Sequence, residues 1–232
     1  AETRGCIRTT SGEIKLRACV TSESPYIIVE AEATEGERGF TWRFYPESTD
    51  SPRQLNAILK KSKNHFKKDY ISNPASQLYE RNGLNYCWQP LLAGGGTATV
   101  WKEIRKGNKS VLVISNAHSF PETDALKKAE TALAKLQTAD ISLLRQAYRD
   151  WWHNYYPQSF ISLPDKKIEN FYWAQMYKLA SATRVGGGLL DNSGPWQVLT
   201  PWPNTWWNLN VQLSYWPVYA SNRLELGMPV VD

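Results

Sequence analysis

KSVLVISNAHSFPETDALKKAETALAKL, residues 109–136, contains the change of rhythm that sets the fold class. Up to His118 the apolar side chains run as they do in a buried strand. Beyond it Leu126, Ala129, Leu133 and Leu136 recur at close to 3.6 residues, the period of a helix with one buried stripe. The junction SFPET predicts a helix start, with Ser119 as N-cap and Pro121 in the first turn, where a missing N–H costs nothing. A β region therefore hands over to an α region, and the chain reads as α+β.

Working towards the N-terminus, EIKLRACV and PYIIVEAEAT alternate apolar with polar residues before a turn at Glu35-Gly36, and GFTWRFYPE continues the pattern. LNYCWQPLL, TATVWKEIRK and KSVLVISNAH predict three more strands, the last two joined at Gly107-Asn108, a dipeptide suited to a tight hairpin. Between them, Asp50 to Lys68 places Leu55, Ile58, Leu59 and Phe66 near helical spacing, which predicts a short surface helix inserted among the strands. Gly94-Gly95-Gly96 is a loop without the sequence context of a phosphate cradle.

Working towards the C-terminus, Ile141, Leu144, Tyr148, Trp151 and Tyr155 form a second helical stripe after a break at Thr138-Ala139-Asp140. A third helix starts at SLPD, with Ser162 and Asp165 at capping-box spacing, and stops at Val185-Gly186-Gly187-Gly188. An irregular stretch rich in Gly, Pro, Asn and Trp follows, then a fourth helix from about Leu209 to Tyr219. The segments fall at 1–119 for the β region, 120–160 for a helical linker and 161–232 for a further helical region.

The chain has 232 residues, 42% of them apolar, with 27 basic and 22 acidic side chains. It is long enough for a substantial core, and no apolar run approaches the ~20 residues of a membrane-spanning helix. The opening AETRGCIRTT lacks a leader pattern. A surplus of five positive charges is too dispersed to define a nucleic-acid surface, although Arg53, Lys60, Lys61, Lys63, Lys67 and Lys68 form a basic cluster. Cys6, Cys19 and Cys87 have no metal-binding spacing; a Cys6–Cys19 bridge across neighbouring strands and three buried thiols are both open. His65, His118 and His153 stand outside any catalytic frame, and no cofactor or metal is expected.

Trp is the unusual residue. Eight of the 11 lie between Trp151 and Trp216, and the loop from Asp191 to Trp216 collects Trp196, Trp202, Trp206, Trp207 and Trp216 with Asn192, Gln197, Asn204, Asn208, Asn210 and Gln212. A pyranose stacks its C–H faces on indole rings and needs fixed amide donors and acceptors for its hydroxyls, so this composition suits a sugar site. Packing of the same Trp at a helix interface is the alternative reading. Single-stranded nucleic acid also stacks on Trp, but no Lys or Arg occurs from Leu189 to Ser221, which disfavours a polyanion.

NTWWNLNVQLSYWP, Asn204 to Pro217, closely resembles the helix entrance of glycoside hydrolase family 95, the α-L-fucosidase and α-L-galactosidase group. There an Asn-x-Asn pair is followed by Gln and then Tyr-Trp-Pro; the matching residues here are Asn208, Asn210, Gln212, Tyr215, Trp216 and Pro217. WWHNYYPQSFISLPDKKIENFYWAQMYKLASATR, from Trp151, is similar to that family's linker helix and first barrel helix. The resemblance covers roughly Asp150 to Gly227. It implies an antiparallel β-sandwich, 1–119, a linker, 120–160, and the opening of an incomplete (α/α)6 barrel, 161–232.

The resemblance further implies an inverting exo-glycosidase acting on terminal L-fucose or L-galactose of a glycan, exported to the periplasm or outside the cell. Asn208 and Asn210 would position the attacking water, with Trp202, Trp206, Trp207 and Trp216 as candidate walls for the sugar. An amide is too weak a base to take the water's proton, so separate carboxylates are needed. The family's acid and base have no matching position here; Asp191 and Glu225 match neither. The expected chain is thus part of an enzyme, inactive alone and partnered by the remainder of the barrel. Ser214 replaces a common Asn, and two Trp precede Asn208 where small polar residues are expected; both departures bear on sugar choice. Another (α/α)6 glycosidase, a non-catalytic carbohydrate-binding module and a structural fragment with buried Trp are the rival expectations.

Overall fold

The computed structural model describes residues 2–21, 26–59, 69–136, 140–192, 194, 200, 202 and 204–231. His65, Phe66, Trp196, Gln197, the Thr138-Ala139 break and the lysines from Lys60 to Lys68 lie outside these residues. The chain is mixed α+β and divides into two compact units, 1–49 with 72–153, and 50–71 with 154–232.

The first unit is built on a seven-stranded antiparallel sheet: β1 (Thr3–Arg8), β2 (Glu13–Val20), β3 (Tyr26–Ala33), β4 (Gln77–Arg81), β5 (Leu84–Pro90), β6 (Gly96–Lys106) and β7 (Lys109–Ser119), in the order β1-β2-β3-β7-β6-β5-β4. Two meanders meet where β3 pairs with β7, from Tyr26 opposite Ser115 to Glu32 opposite Lys109. The β6–β7 hairpin turns at Gly107-Asn108 as expected, with Gly107 at φ +61°. β4 was not anticipated; it joins β5 through Asn82 and Gly83, both at positive φ, the requirement of a type I′ turn.

One face of the sheet carries Ile14, Ala31 and Ala33, packed with Leu16, Phe40 and Trp42. The expected strand at GFTWRFYPE does not form. Arg105 donates to the carbonyl oxygens of Arg38 (3.0 Å) and Phe40 (2.8 Å) and stacks its guanidinium 4.4 Å from the Phe40 ring centre, while Trp42 Nε1 donates to Ser110 Oγ at 2.9 Å. Those contacts take carbonyl groups that a strand ladder would need, and this segment covers the sheet instead of extending it.

α2 (Ala125–Lys135) packs on the opposite face through buried Ala125, Ala129 and Leu133. It starts five residues later than SFPET suggests, with Asp124 in place of Ser119 at the N-cap position. Ser119 is the last residue of β7, yet its Oγ still accepts the Ala125 N–H at 3.0 Å, so the hydroxyl satisfies a first-turn donor from outside the helix. Lys102 Nζ donates to Leu136 O at 3.0 Å, placing a cation at the helix's C-terminal end. α3 (Asp140–Tyr155) follows, and the boundary between the units falls inside it.

Cys6, Cys19 and Cys87 are free thiols. Cys6 pairs with Lys15 and Cys19 with Ile28, so the two N-terminal cysteines lie four residues out of register, about 13 Å along the strands, too far for a bridge.

α1 (Pro52–Leu59) belongs to the second unit, and it is not a surface helix: Gln54, Asn56 and Ala57 are buried. α4 (Lys166–Ala182) is capped by Asp165, whose carboxylate accepts the Lys167 N–H at 2.8 Å, while Glu169 reaches back to the Leu163 N–H at 2.7 Å. Ser162 is therefore not the N-cap. The reciprocal capping box expected around Ser162 does not form; Asp165, next to the first helical residue, caps the second N–H of the helix, and Glu169 satisfies the Leu163 N–H two residues before the cap. α5 (Leu209–Ala220) matches the expected fourth helix and leads to a 3-10 segment, Leu224–Val230. Among the described residues no helix is long and apolar enough to cross a membrane.

The tie between the sheet and α2 is testable at Tyr86, which is fully buried, stacks on Tyr79 at 4.9 Å and donates to Glu130 Oε1 at 2.8 Å. That hydrogen bond, helped by Arg81 and opposed by burial, holds the Glu130 carboxyl below its ordinary pKa. Tyr86→Phe should lower stability by about 1 kcal/mol in urea unfolding at neutral pH. A depressed carboxylate pKa stabilises above the ordinary range and ceases to as pH falls through the folded value. The gap between wild type and variant should accordingly narrow in acid; a constant gap would show that Glu130 does not carry the effect.

Candidate functional site

α5 carries the residues singled out by sequence, and helical geometry sorts them into rows. Positions four apart share a side, so Asn208, Gln212 and Trp216 form one exposed row. Gln212 Nε2 donates to Asn208 Oδ1 at 2.5 Å, which leaves the Asn208 amino group as the outward donor. Asn210 is two positions on, about 200° around the axis, and begins another row with Ser214 and Pro217. Ser214 Oγ donates to Asn210 O at 2.9 Å. The two Asn thus share the helix's first turn but leave it on opposite sides.

The row of Ser214 and Pro217 borders a cleft of about 360 Å³ between α4 and α5, closed by Gln175, Lys178, Asp191 and Asn192. Its size falls within the roughly 300–1,000 Å³ usual for small-ligand sites. Both amides and hydroxyls line it, and Asp191 contributes the nearby carboxylate.

The four Trp candidates are not equivalent. Trp207 and Trp216 are 66% and 69% exposed, with faces open to a ligand. Trp202 is half-exposed and meets Trp206 edge-on at 4.6 Å. Trp206 is partly buried with its Nε1 lacking an acceptor, and Arg53 of α1 lies 5.6 Å from its ring centre. Trp206 and Arg53 are therefore engaged with one another. A basic residue beside the loop was invisible to the local count of charges because it arrives from more than 100 residues upstream.

What fixes the helix is Tyr215, buried on the side facing Val211 and Val218. Thr183 Oγ1 donates to Leu226 O at 3.1 Å, so its proton is used and it must accept from the Tyr215 hydroxyl, 3.1 Å away; that hydroxyl in turn accepts the Leu190 N–H at 2.8 Å. One unbroken chain of hydrogen bonds joins the loop before the motif, α5, the end of α4 and the 3-10 segment. Its Tyr is a member of the Tyr-Trp-Pro motif, and its role here is to brace.

A second brace is Arg223, 2% exposed. It donates to Ser159 Oγ and to the carbonyl oxygens of Ser221 (3.2 Å), Tyr155 (3.4 Å) and Tyr156 (3.3 Å), and its guanidinium lies 4.5 Å from the Tyr155 ring centre. Tyr155 donates to Met176 O at 2.7 Å, and burial, only partly offset by the Arg223 charge, pushes its pKa up to about 12. Sequence patterns gave no sign of this residue, since Arg is ordinarily exposed. His118 and His153 are exposed, and among the described residues no group of His, Cys, Asp and Glu could hold a metal ion.

No protein-family model matches the chain, and no curated protein matches it.

Tyr215→Phe removes the central hydroxyl, leaving the half-buried Leu190 N–H without its acceptor and the buried Thr183 hydroxyl with only its bond to Leu226. The expected cost is about 2 kcal/mol, read as a lower unfolding midpoint by near-ultraviolet circular dichroism. A midpoint equal to wild type would remove Tyr215 from its bracing role.

Proposed function

We propose that the chain is part of an inverting exo-glycosidase of the family 95 type, acting on terminal L-fucose or L-galactose of a glycan and working outside the cytoplasm. The observation that carries this reading is the row Asn208, Gln212, Trp216: an amide held by its i+4 neighbour, with an exposed indole one turn further on. A fixed N–H donor beside an open aromatic face answers the two demands of a pyranose. Asn208 and Asn210, leaving the first turn on opposite sides, hold a common water only if it sits over the helix end. From there it attacks the anomeric carbon while a carboxylate takes its proton and a second carboxylic acid protonates the leaving oxygen. Trp207 and Trp216 form the open walls, and Trp202 with Trp206 supports them.

The carboxylates belong to helices that pack on this one. α5 supports that inference because its apolar residues extend well beyond its buried side: Val211, Tyr215 and Val218 are buried, yet Leu209, Leu213 and Trp216 are 63%, 58% and 69% exposed. Large apolar side chains left in water on a second side are suited to burial against further helices, as in a closed (α/α)6 barrel. In the same reading the seven-stranded sheet forms one layer of the β-sandwich that precedes such barrels.

The test is hydrolysis of aryl α-L-fucoside and α-L-galactoside by the full gene product, with the released sugar followed by NMR. The β-anomer should appear first. Asn208→Ala and Asn210→Ala should each lower kcat by roughly 10²-fold, the usual loss for one oriented hydrogen-bonding group, with KM little changed. The 232-residue chain alone should show no turnover. Initial release of the α-anomer, or full activity in both variants, would overturn the mechanism.

A further inference from the structure

On the face of the sheet that α2 covers, the half formed by β1, β2, β3 and the start of β7 is open and concave, a hollow of about 450 Å³. Register makes it a charged grid. Arg4, Arg17 and Glu30 stand side by side across three strands, and Lys15, Glu32 and Lys109 make the next row. Arg145 of α3 closes one side and donates to Glu30 Oε1 at 2.7 Å. Five cations, Arg4, Lys15, Arg17, Lys109 and Arg145, thus line the hollow against the two carboxylates Glu30 and Glu32, three charges of the chain's surplus of five. Glu2 adjoins it, accepting from Arg4 at 3.0 Å with Arg149 3.5 Å away, and Glu13 adjoins Lys15.

Each cation has a carboxylate partner, but Arg4 with Glu2 (3.0 Å), Lys15 with Glu13 (3.3 Å) and Lys109 with Glu32 (3.6 Å) are surface pairs, worth little in water and readily exchanged for an incoming anion. Arg17 stands 3.7 Å from Glu2 and 3.8 Å from Glu30, and makes no hydrogen bond to either, so it is poised between two acceptors with its donors open. Arg145 keeps Nε buried without an acceptor. Burial would raise the Glu2 pKa, but the hydrogen bond from Arg4 and the charges of Arg17 and Arg149 outweigh it and keep this carboxyl ionised and the Arg side chains in place. The cations are spread over neighbouring strands about 4.8 Å apart, a spacing fixed by the sheet. Positive charge concentrated in a hollow focuses the field on a polyanion.

We propose that this hollow binds the oxyanion groups, sulfate or carboxylate, of an acidic glycan. A glycan is favoured over single-stranded nucleic acid because no aromatic ring lines the hollow among the described residues, and stacking is the main sequence-tolerant contact to unpaired bases. The proposal is independent of the glycosidase reading, since none of its residues belongs to the α5 motif.

The experiment is calorimetric titration of the 232-residue chain with a sulfated hexasaccharide, its unsulfated counterpart, inorganic sulfate and a single-stranded oligonucleotide of equal charge, at 50 and 200 mM salt. The sulfated hexasaccharide should bind most tightly and weaken with salt. Lys15→Gln with Lys109→Gln changes two exposed side chains whose only partners among the described residues are the surface carboxylates Glu13 and Glu32, and should weaken it roughly three- to tenfold, the worth of two exposed ion pairs. Arg17→Gln should weaken it further, with the circular dichroism spectrum checked for folding. Binding of inorganic sulfate alone, equal binding of the oligonucleotide or of the unsulfated sugar, or no loss in the double variant would overturn the proposal.

Discussion

The pairing of β3 with β7 is the constraint on which the first unit depends. Each of the two meanders, β1 to β3 and β4 to β7, is local in sequence and closed by short turns, but neither buries both faces of its strands. Joining them brings residues about 80 positions apart into register, closing a loop whose entropy cost grows only slowly with length. Once Ala31 sits opposite Ser110, the two covering layers have a surface to occupy. Trp42 finds the Ser110 hydroxyl on one face and Tyr26 finds the Ala132 carbonyl oxygen, 2.8 Å away, on the other. The packing of the 38–45 segment and of α2 follows from that single junction.

The second unit is organised differently. Its order rests on buried polar groups, Tyr215, Thr183 and Arg223, that tie irregular backbone to helix ends. Such groups are costly when unpaired and restrictive when paired, and they specify one arrangement more sharply than apolar contact does. The Tyr215 hydroxyl accepts the Leu190 N–H ahead of the motif, and the Arg223 guanidinium donates to carbonyl oxygens at the end of α3 and after α5, where backbone leaves the helices.

Much of this was legible in the sequence where periodicity was strong. The strands at β2, β3, β5, β6 and β7 and the helices α3, α4 and α5 all follow from apolar spacing. β4 escaped because all its residues are exposed and QLYER shows little alternation, although Asn82-Gly83 beside it is a strong hairpin signal. GFTWRFYPE misled for the opposite reason: its aromatic residues have high strand propensity, but propensity measures fit to a half-buried surface and does not say which backbone supplies the hydrogen bonds. In the candidate site, the Asn208 and Gln212 partnership was readable from i, i+4 spacing. The Tyr215 brace was not, because its partners Thr183, Leu190 and Leu226 come from three separate stretches. The charged grid of the sheet escaped as well, since it emerges only when register aligns residues from β1, β2, β3 and β7.

The membership of the second unit has a bearing on how the chain is made. Residues 50–71, with α1 among them, emerge from the ribosome before β4, yet the rest of the unit they belong to begins at residue 154. At roughly 5–20 residues per second, this segment waits several seconds at least for its partners, while the strands on either side of it are already free to pair. The first unit can condense around an excursion that must stay open, and the polar side chains of α1, Gln54 and Asn56, keep that waiting segment compatible with water until the later helices arrive.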